Sequence, residues 1–563
     1  MPRNTYSDVF LTGCILLHSL GFADVPKSFD VQPIPTQKDE VSMPACEDEV
    51  IIQAIVLEQT LISPEDRGIY KGVVVRNITL PGDPDAFLDR LSEKFLQRGL
   101  NRDVVMAIKQ EIIEYHIAQG RPFVAVSIPE QDITEGVIQI LVLESVVGNV
   151  TISGNRWVSD DQLRKKLHVT EGDCIEEGKL LNDLAWINQN PFRQTELIFA
   201  PGEKVGTTDL ELITKDRFPL RFYVGGDDTG NDFIGNSRLY GGINWGDAMM
   251  RGDLLTYQYT TTEHVHRFQS HYANYTCYLP WQHYLKVYGA YGRIHPKISG
   301  FDSTGHSAQA SFRYGIPFKP LYGSLTHEFF VGFDYKNTNS NLFFVGALDV
   351  PLVTKNVNLS QVVFGYESTL KSFSHNFTAD IEFAGSCGHW LPHQTNQDFG
   401  SLRPHATPNY FYGRASIGDV WTHSSSFAIS GLLRMQATTT PLLPSEMFPL
   451  GGYNTVRGYE EQLFVADDTL CANLEIHAPK ISFLCKKRDE LIFLAFMDYG
   501  YGHNLFPFED ERTNQSLWSV GTGMRYRINP YFSFRADYGF KLKSVQFDDS
   551  HVGKAHVGAT LSY

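Results

Sequence analysis

From residue 219 to the last residue the sequence repeats a single pattern, in which short runs of alternating apolar and polar side chains are separated by clusters of turn residues. Leu255, Tyr257 and Tyr259 lie on one side of such a run, with Thr256, Gln258 and Thr260 on the other. In another, Phe532, Phe534, Ala536 and Tyr538 oppose Ser533, Arg535, Asp537 and Gly539. A period of two marks a strand, because successive side chains point to opposite faces of the pleat. A soluble sandwich also alternates, with a dry core face and a polar outer face. Here the apolar faces are rich in tyrosine and the opposing faces in charge and glycine, which predicts lipid on one side and a wet lumen on the other. About sixteen such strands can be marked, from centres near Phe222 and Gly241 to centres near Arg535 and Ala559, an even number as expected of a bacterial barrel. Closure has a physical cause: an open edge would leave backbone groups unpaired in hydrocarbon.

The rest of the composition narrows the class. No apolar run of about 18 residues exists beyond the extreme N-terminus, so membrane-spanning helices are excluded. A net charge of -16 argues against nucleic acid as a partner, since such binding rests on Lys and Arg neutralising phosphates. The seven cysteines, Cys14, Cys46, Cys174, Cys277, Cys387, Cys471 and Cys485, show no CxxC pair and no metal-ligand spacing. Residues 1–23 read as a signal peptide, with Arg3, the apolar stretch Val9 to Phe22 and a small-x-small site at Gly21-Phe22-Ala23. Residues 24–49, polar and Pro-rich, read as a linker or plug segment.

Between these segments two α+β units follow one another. In residues 50–144 a strand is expected over Val73 to Leu80 and helices over Asp85 to Arg98 and Asp103 to Gln119. The second helix has an apolar face of Val104, Ile108, Ile112 and Tyr115, and strands are expected over Phe123 to Ile128 and Val137 to Leu143. The order recurs in residues 145–216, after a period of roughly 70 residues. The strand is Val147 to Ser153, and helices span Asp160 to Leu167 and Gly178 to Ile187, the latter with Leu180, Leu181, Leu184 and Ile187 inward; strands Glu196 to Ala200 and Asp209 to Thr214 close the unit. Ile128-Pro129-Glu130-Gln131 with Gly136 in the first unit, and Asn190-Pro191-Phe192-Arg193 in the second, resemble the motifs of POTRA domains, the polypeptide-transport-associated modules that precede outer-membrane pores. The resemblance implies three-stranded sheets whose open edges accept an extended client as an added strand. The fold expected is thus α+β POTRA-like repeats followed by an all-β transmembrane barrel of about sixteen antiparallel strands over residues 219–563.

Residues 437–468, between the eleventh and twelfth expected strands, form a connection too long to be a simple turn. It contains Gly451-Gly452-Tyr453-Asn454-Thr455-Val456-Arg457-Gly458-Tyr459. With this motif the chain resembles the two-partner secretion transporters, the haemolysin and haemagglutinin secretion-activation family of the outer-membrane assembly superfamily. The resemblance implies that the loop folds into the lumen, with Val456, Arg457, Gly458 and Tyr459 at its tip and Arg457 paired with Asp498 in Phe496-Met497-Asp498-Tyr499-Gly500. The residues agree: Ile492, Leu494 and Phe496 share the parity of Asp498 and need cover from water. Gly521 and Gly523, on the face of Arg525, would let a loop backbone approach the wall. Val557, Ala559, Leu561 and Tyr563 face outward in the last strand, with Tyr563 as the terminal aromatic that barrel-assembly machinery reads.

The implied partners are an unfolded secreted client, expected to be a large β-solenoid, outer-membrane lipid, and the barrel-assembly machinery during biogenesis. No cofactor, metal or enzymatic activity is expected. Asp227 to Asp232 reads as a polar turn rather than a calcium loop, and His327-Glu328 lacks the second histidine of a metalloprotease. Two other readings stay open at this point. A barrel-insertion factor shares the loop motif but usually carries more soluble repeats, and a passive porin leaves the repeats unexplained.

Overall fold

The computed structural model describes residues 50–60, 70–231, 234–296, 304–321, 324–338, 356–423, 427–484, 489–507, 512–545 and 552–563. The expected signal peptide and the 24–49 segment lie outside them, as do Cys14, Cys46, Cys485 and Asp232. The chain divides into two compact units that meet in sequence between Arg217 and Phe218.

The first half of the N-terminal unit differs from expectation at its start. Its sheet has four strands, in the order Gly72–Val75, Ala54–Glu58, Val137–Glu144, Val124–Ser127. Ala54–Glu58 runs parallel to both of its neighbours and is buried along its whole length. A strand covered on both faces shows a continuous apolar run rather than alternation, so Ala-Ile-Val-Leu gave no period to read. The segment expected over Val73 to Leu80 is an added edge strand, shortened to Gly72–Val75. Helices Asp85–Phe95 and Arg102–Ala118 pack on the sheet through Phe87, Leu91, Phe95, Ile108 and Ile112. Asn101 caps the second helix by accepting from Val104 N at 2.9 Å. Val104 is half-buried and packs against this core as expected, and Val105 beside it is buried too.

The second half has the expected order, with three strands arranged Val146–Ser153, Thr207–Asp216, Arg193–Pro201. Its helices span Asp160–Arg164 and Glu177–Ile187. On the latter, Leu180, Leu184 and Ile187 are buried together with Asp183 and Trp186, while Leu181 is half-buried. The Asp183 carboxylate accepts from His168 N at 2.7 Å and lies 2.7 Å from His168 Nδ1, which explains a charged residue on the inner face.

Residues 218–563 form a closed barrel of sixteen antiparallel strands. The first strand, Leu220–Asp227, pairs with the sixteenth, Gly553–Ser562. The amide of Phe222 donates to Tyr563 O and the amide of Tyr563 donates to Phe222 O, carrying the seam to the last residue. Polarity across the wall is inverted relative to a soluble protein: Phe222 is 52% exposed while its neighbour Arg221 is 8% exposed. Tyr257, Tyr538, Val557 and Leu561 are exposed as well, and Gln258, Asp537, His556 and Thr560 are buried. Oil outside and hydrogen-bonding groups within is the solvation that a membrane barrel requires. Strands of up to 15 residues exceed the about 9–11 needed to cross hydrocarbon, so the wall extends beyond the membrane. None of the described helices is long and apolar enough to span it.

Candidate functional site

The thirteenth strand, Asp489–His503, alternates cleanly: Leu494, Phe496, Asp498 and Gly500 are buried, and Phe493, Ala495 and Met497 are exposed. The inner residues are covered by the connection between the eleventh strand, Phe427–Thr438, and the twelfth, Asp468–His477. This loop carries a two-stranded ribbon, Phe448–Leu450 with Phe464–Ala466. Leu450, Val456 and Tyr459 of the loop form one apolar cluster with Cys471 and Leu517 of the wall. Burial of these side chains is what draws the loop into a lumen it could otherwise avoid.

At the loop tip the Arg457 guanidinium donates to Asp498 through Nε at 2.7 Å and Nη2 at 2.8 Å, and through Nη1 to Glu475 at 2.6 Å. Its plane lies over the Phe496 ring, 3.5 Å from the centroid. Asp498 also accepts from Arg457 N at 3.1 Å and from Asn473 Nδ2 at 2.8 Å. Four donors therefore fill a carboxylate with no exposure to solvent. Lys could not reproduce this bidentate, stacked geometry.

The neighbouring motif residues hold the same arrangement. Val456 fits against Gly500, where an added Cβ would lie 2.8 Å from Val456 Cγ2. Gly458 has φ +91° and donates its amide to His556 Nε2 at 3.1 Å. The Tyr459 hydroxyl lies 2.9 Å from Trp518 O and 2.7 Å from Lys543 O.

The glycines that admit the loop are not the pair expected. At Gly521 a Cβ would strike the Phe496 ring and Tyr538 O, and at Gly523 it would strike the Asp537 carboxylate, so both make room for other wall side chains. The close backbone approach occurs at Gly539 of the fifteenth strand, Phe532–Lys541, where a Cβ would lie 2.6 Å from Gly458 N. Arg525 does both: it donates to Asp537 of the wall at 2.7 and 2.9 Å, and its guanidinium lies 6.0 Å from the centre of the Tyr453 ring of the loop.

Two further anchors have no counterpart in the sequence reading. Glu446 receives Lys336 Nζ at 2.8 and 3.0 Å and the Tyr412 hydroxyl at 2.8 Å, and both members of the Lys336–Glu446 ion pair are buried. Arg403 binds Asp467 through two 2.6 Å bonds, with neither side chain exposed. Arg403 follows a short helix, Asn396–Leu402, started by a Thr395–Asp398 capping box. Asp467 also accepts the amides of Leu442 and Leu505, each at 2.8 Å, so one carboxylate gathers both stems of the loop and a neighbouring turn.

In the N-terminal unit the motif residues turn inward. The Gln131 amide donates to Gln139 O and accepts from Gln139 N, both at 2.8 Å, standing in for a strand residue past Ser127. Pro129 O accepts weakly from Gln131 at 3.3 Å, and Glu130 is exposed. Gly136 has φ +72° and its carbonyl accepts from Gln53 N at 2.8 Å. Asn190 accepts from Phe192 N at 2.9 Å, Pro191 O accepts from Arg217 at 3.0 Å, Phe192 lies beneath the Arg217 guanidinium, and Arg193 Nε donates to Ile187 O at 3.0 Å. Apart from the exposed Glu130, these groups close turns. Gly136→Ala is accordingly expected to destabilise the first sheet, since a left-handed residue costs at least about 1–2 kcal/mol and the new Cβ would strike Ile51 O. Faster proteolysis within residues 50–144 of the full-length protein would report it.

Elsewhere Asp227 folds its carboxylate onto Thr229, as a polar turn does. Glu328 is buried and accepts from the Tyr284 hydroxyl at 2.7 Å. Among the described residues Cys174, Cys277, Cys387 and Cys471 are free thiols.

A sixteen-strand barrel with an inverted wall, a lumen crossed by an arginine-anchored loop, and POTRA-like modules before it in sequence define an outer-membrane β-barrel of the POTRA-bearing class. The chain belongs to the family described as haemolysin secretion/activation protein ShlB/FhaC/HecB, whose sequence model matches residues 206–526. It is 23% identical over 454 residues to the outer membrane transporter CdiB of Dickeya dadantii, covering 77% of this chain and 76% of that protein. To the heme/hemopexin transporter protein HuxB of Haemophilus influenzae it is 22% identical over 491 residues, covering 83% and 81%. Its fold matches the solved structures of CdiB from Escherichia coli, with TM-score 0.73 and 16% identity over 94% of this chain and 93% of that one, and of CdiB from Acinetobacter baumannii, with TM-score 0.66 and 15% identity over 97% and 96%. The protein is an outer-membrane two-partner secretion transporter with its POTRA domains in the periplasm, and it works with a secreted partner protein.

Proposed function

We propose that the Arg457–Asp498 pair anchors the loop tip and so keeps the pore in its conductive, assembly-competent arrangement, and that an unfolded client, a large protein that forms a β-solenoid outside the cell, adds to a POTRA sheet edge, enters the lumen and displaces the loop from that anchored start. No nucleotide is required, because folding outside the cell biases direction. The observation that carries this reading is the four-donor Asp498 site at the tip of a loop that occupies the path. Outer-membrane lipid surrounds the barrel, and barrel-assembly machinery inserts it through the strand ending at Tyr563. Deleting the chain should abolish the secreted fraction of the client and leave the barrel content of the outer membrane unchanged; a general loss of barrels would instead mark an insertion factor.

The edge Arg193–Pro201 offers the client a place to add. Arg217 N donates to Phe192 O, which sets the ladder phase. By the antiparallel alternation, odd residues then point their backbone groups away from Thr207–Asp216. Asn188 takes up this outward backbone at Thr195, at 2.7 and 2.9 Å, and the edge continues through Leu197. Leu197→Pro removes one outward N–H, and Leu197→Ala controls for lost packing. Photo-crosslinking of client to full-length protein should fall with the proline variant well below the alanine variant; equal yields would exclude this edge.

A further inference from the structure

The loop is tied to two opposite sides of the barrel. Arg457 and Gly458 meet the thirteenth and fifteenth strands, while Glu446 meets Lys336 on the seventh, Leu325–Thr338. Gln361 on the eighth strand, Val357–Lys371, also donates to Glu446 at 3.3 Å, so the loop is a strap running from the thirteenth and fifteenth strands to the wall that begins at the seventh, eight places round the sixteen-strand ring from the fifteenth. Its base is pinched by Asp467, which binds Leu442 N on one stem and Arg403 beneath. Around Glu446 the wall is built to receive a carboxylate. Besides Lys336, the hydroxyl of Tyr412 on the tenth strand, Asn409–His423, donates to it. Arg414 Nη2 on the same strand donates to its backbone carbonyl at 2.8 Å, and Gln436 Nε2 on the eleventh at 3.2 Å.

We infer that Glu446 and Lys336 form a second latch, which positions the strap against the wall opposite Arg457 and must release before the lumen conducts a chain. A buried ion pair is a poor source of stability but a specific one, since losing one partner strands the other charge without water. The pair therefore holds the strap in one place and makes its two states distinct. This rests on the reading of the loop as the movable obstacle to export, but its test needs no client.

Full-length protein in planar lipid bilayers gives the readout, taken only from barrels whose heat-modifiable mobility on gels shows them folded. Lys336→Met and Glu446→Gln should each lose the closed, low-conductance state, and Lys336→Arg, which keeps the cation, should retain it. Tyr412→Phe removes one donor to Glu446 with the ring in place and should open part of the time. If folded Lys336→Met and Tyr412→Phe barrels conduct like the unaltered protein, the latch is overturned. It is overturned equally if Lys336→Arg behaves like Lys336→Met, because a packing role alone would not separate them. Either failure leaves the export reading standing, since that reading is decided by the secreted fraction of the client.

Discussion

Arg457→Ala is expected to abolish client export while the barrel still inserts. The substitution removes two of the four donors to Asp498 and the 2.6 Å bond to Glu475. It also uncovers the Phe496 ring over which the guanidinium is stacked. Breaking a buried pair by removing one partner typically costs about 3–5 kcal/mol, most of it from the charge left unpaired. That cost falls on the loop state, because strand thirteen keeps all fifteen of its residue pairs with strand fourteen, Asn514–Ile528. Secreted client should be lost from the medium, with unchanged heat-modifiable barrel in the outer-membrane fraction. Unchanged export would remove the anchor from the mechanism.

Gly539→Val should produce the same loss from an unrelated cause. Its Cβ would lie 2.6 Å from Gly458 N and 2.7 Å from Arg457 C, closer than atoms can stand. Valine suits the strand itself, so the strain expels the tip rather than the strand. Export should fall as far as with Arg457→Ala, and bilayer conductance should rise, although every ion-pairing residue is intact. Gly521→Val is the contrasting variant: its Cβ would strike the Phe496 ring and Tyr538 O within the wall, so the yield of folded barrel should drop instead. If the two variants behave alike, Gly539 has no special relation to the loop.

The tip site was legible because each of its parts leaves a mark in one dimension. The Val-Arg-Gly-Tyr run interrupts a long connection, and Asp498 shares parity with inner apolar residues that need cover. Lys336 and Glu446 left no mark. They stand 110 residues apart, and a lumen-facing lysine reads the same whether it ends in water or against a carboxylate. Arg403 is hidden for a similar reason, since a seven-residue helix on the connection between the ninth and tenth strands gives too little periodicity to announce that the next residue is buried. In the N-terminal unit Ala54–Glu58 escaped because burial on both faces erases alternation.

Period-two alternation over more than three hundred residues leaves a closed barrel as the available outcome, because in lipid every backbone group must find a partner along the wall. The sequence by itself therefore determined the class of fold and the approximate strand count, while the inward arginine was implied by the family resemblance, with which the parity of Asp498 agrees. Which glycine the loop meets, and which wall residues tie it down, was decided only in three dimensions. Those contacts depend on the stagger between strands and on the path of a loop through the lumen. Gly521, Gly523 and Gly539 all present the same small residue on an inward face, and only the register that sets Gly521 opposite Gly539 while bringing Gly458 onto the latter separates them.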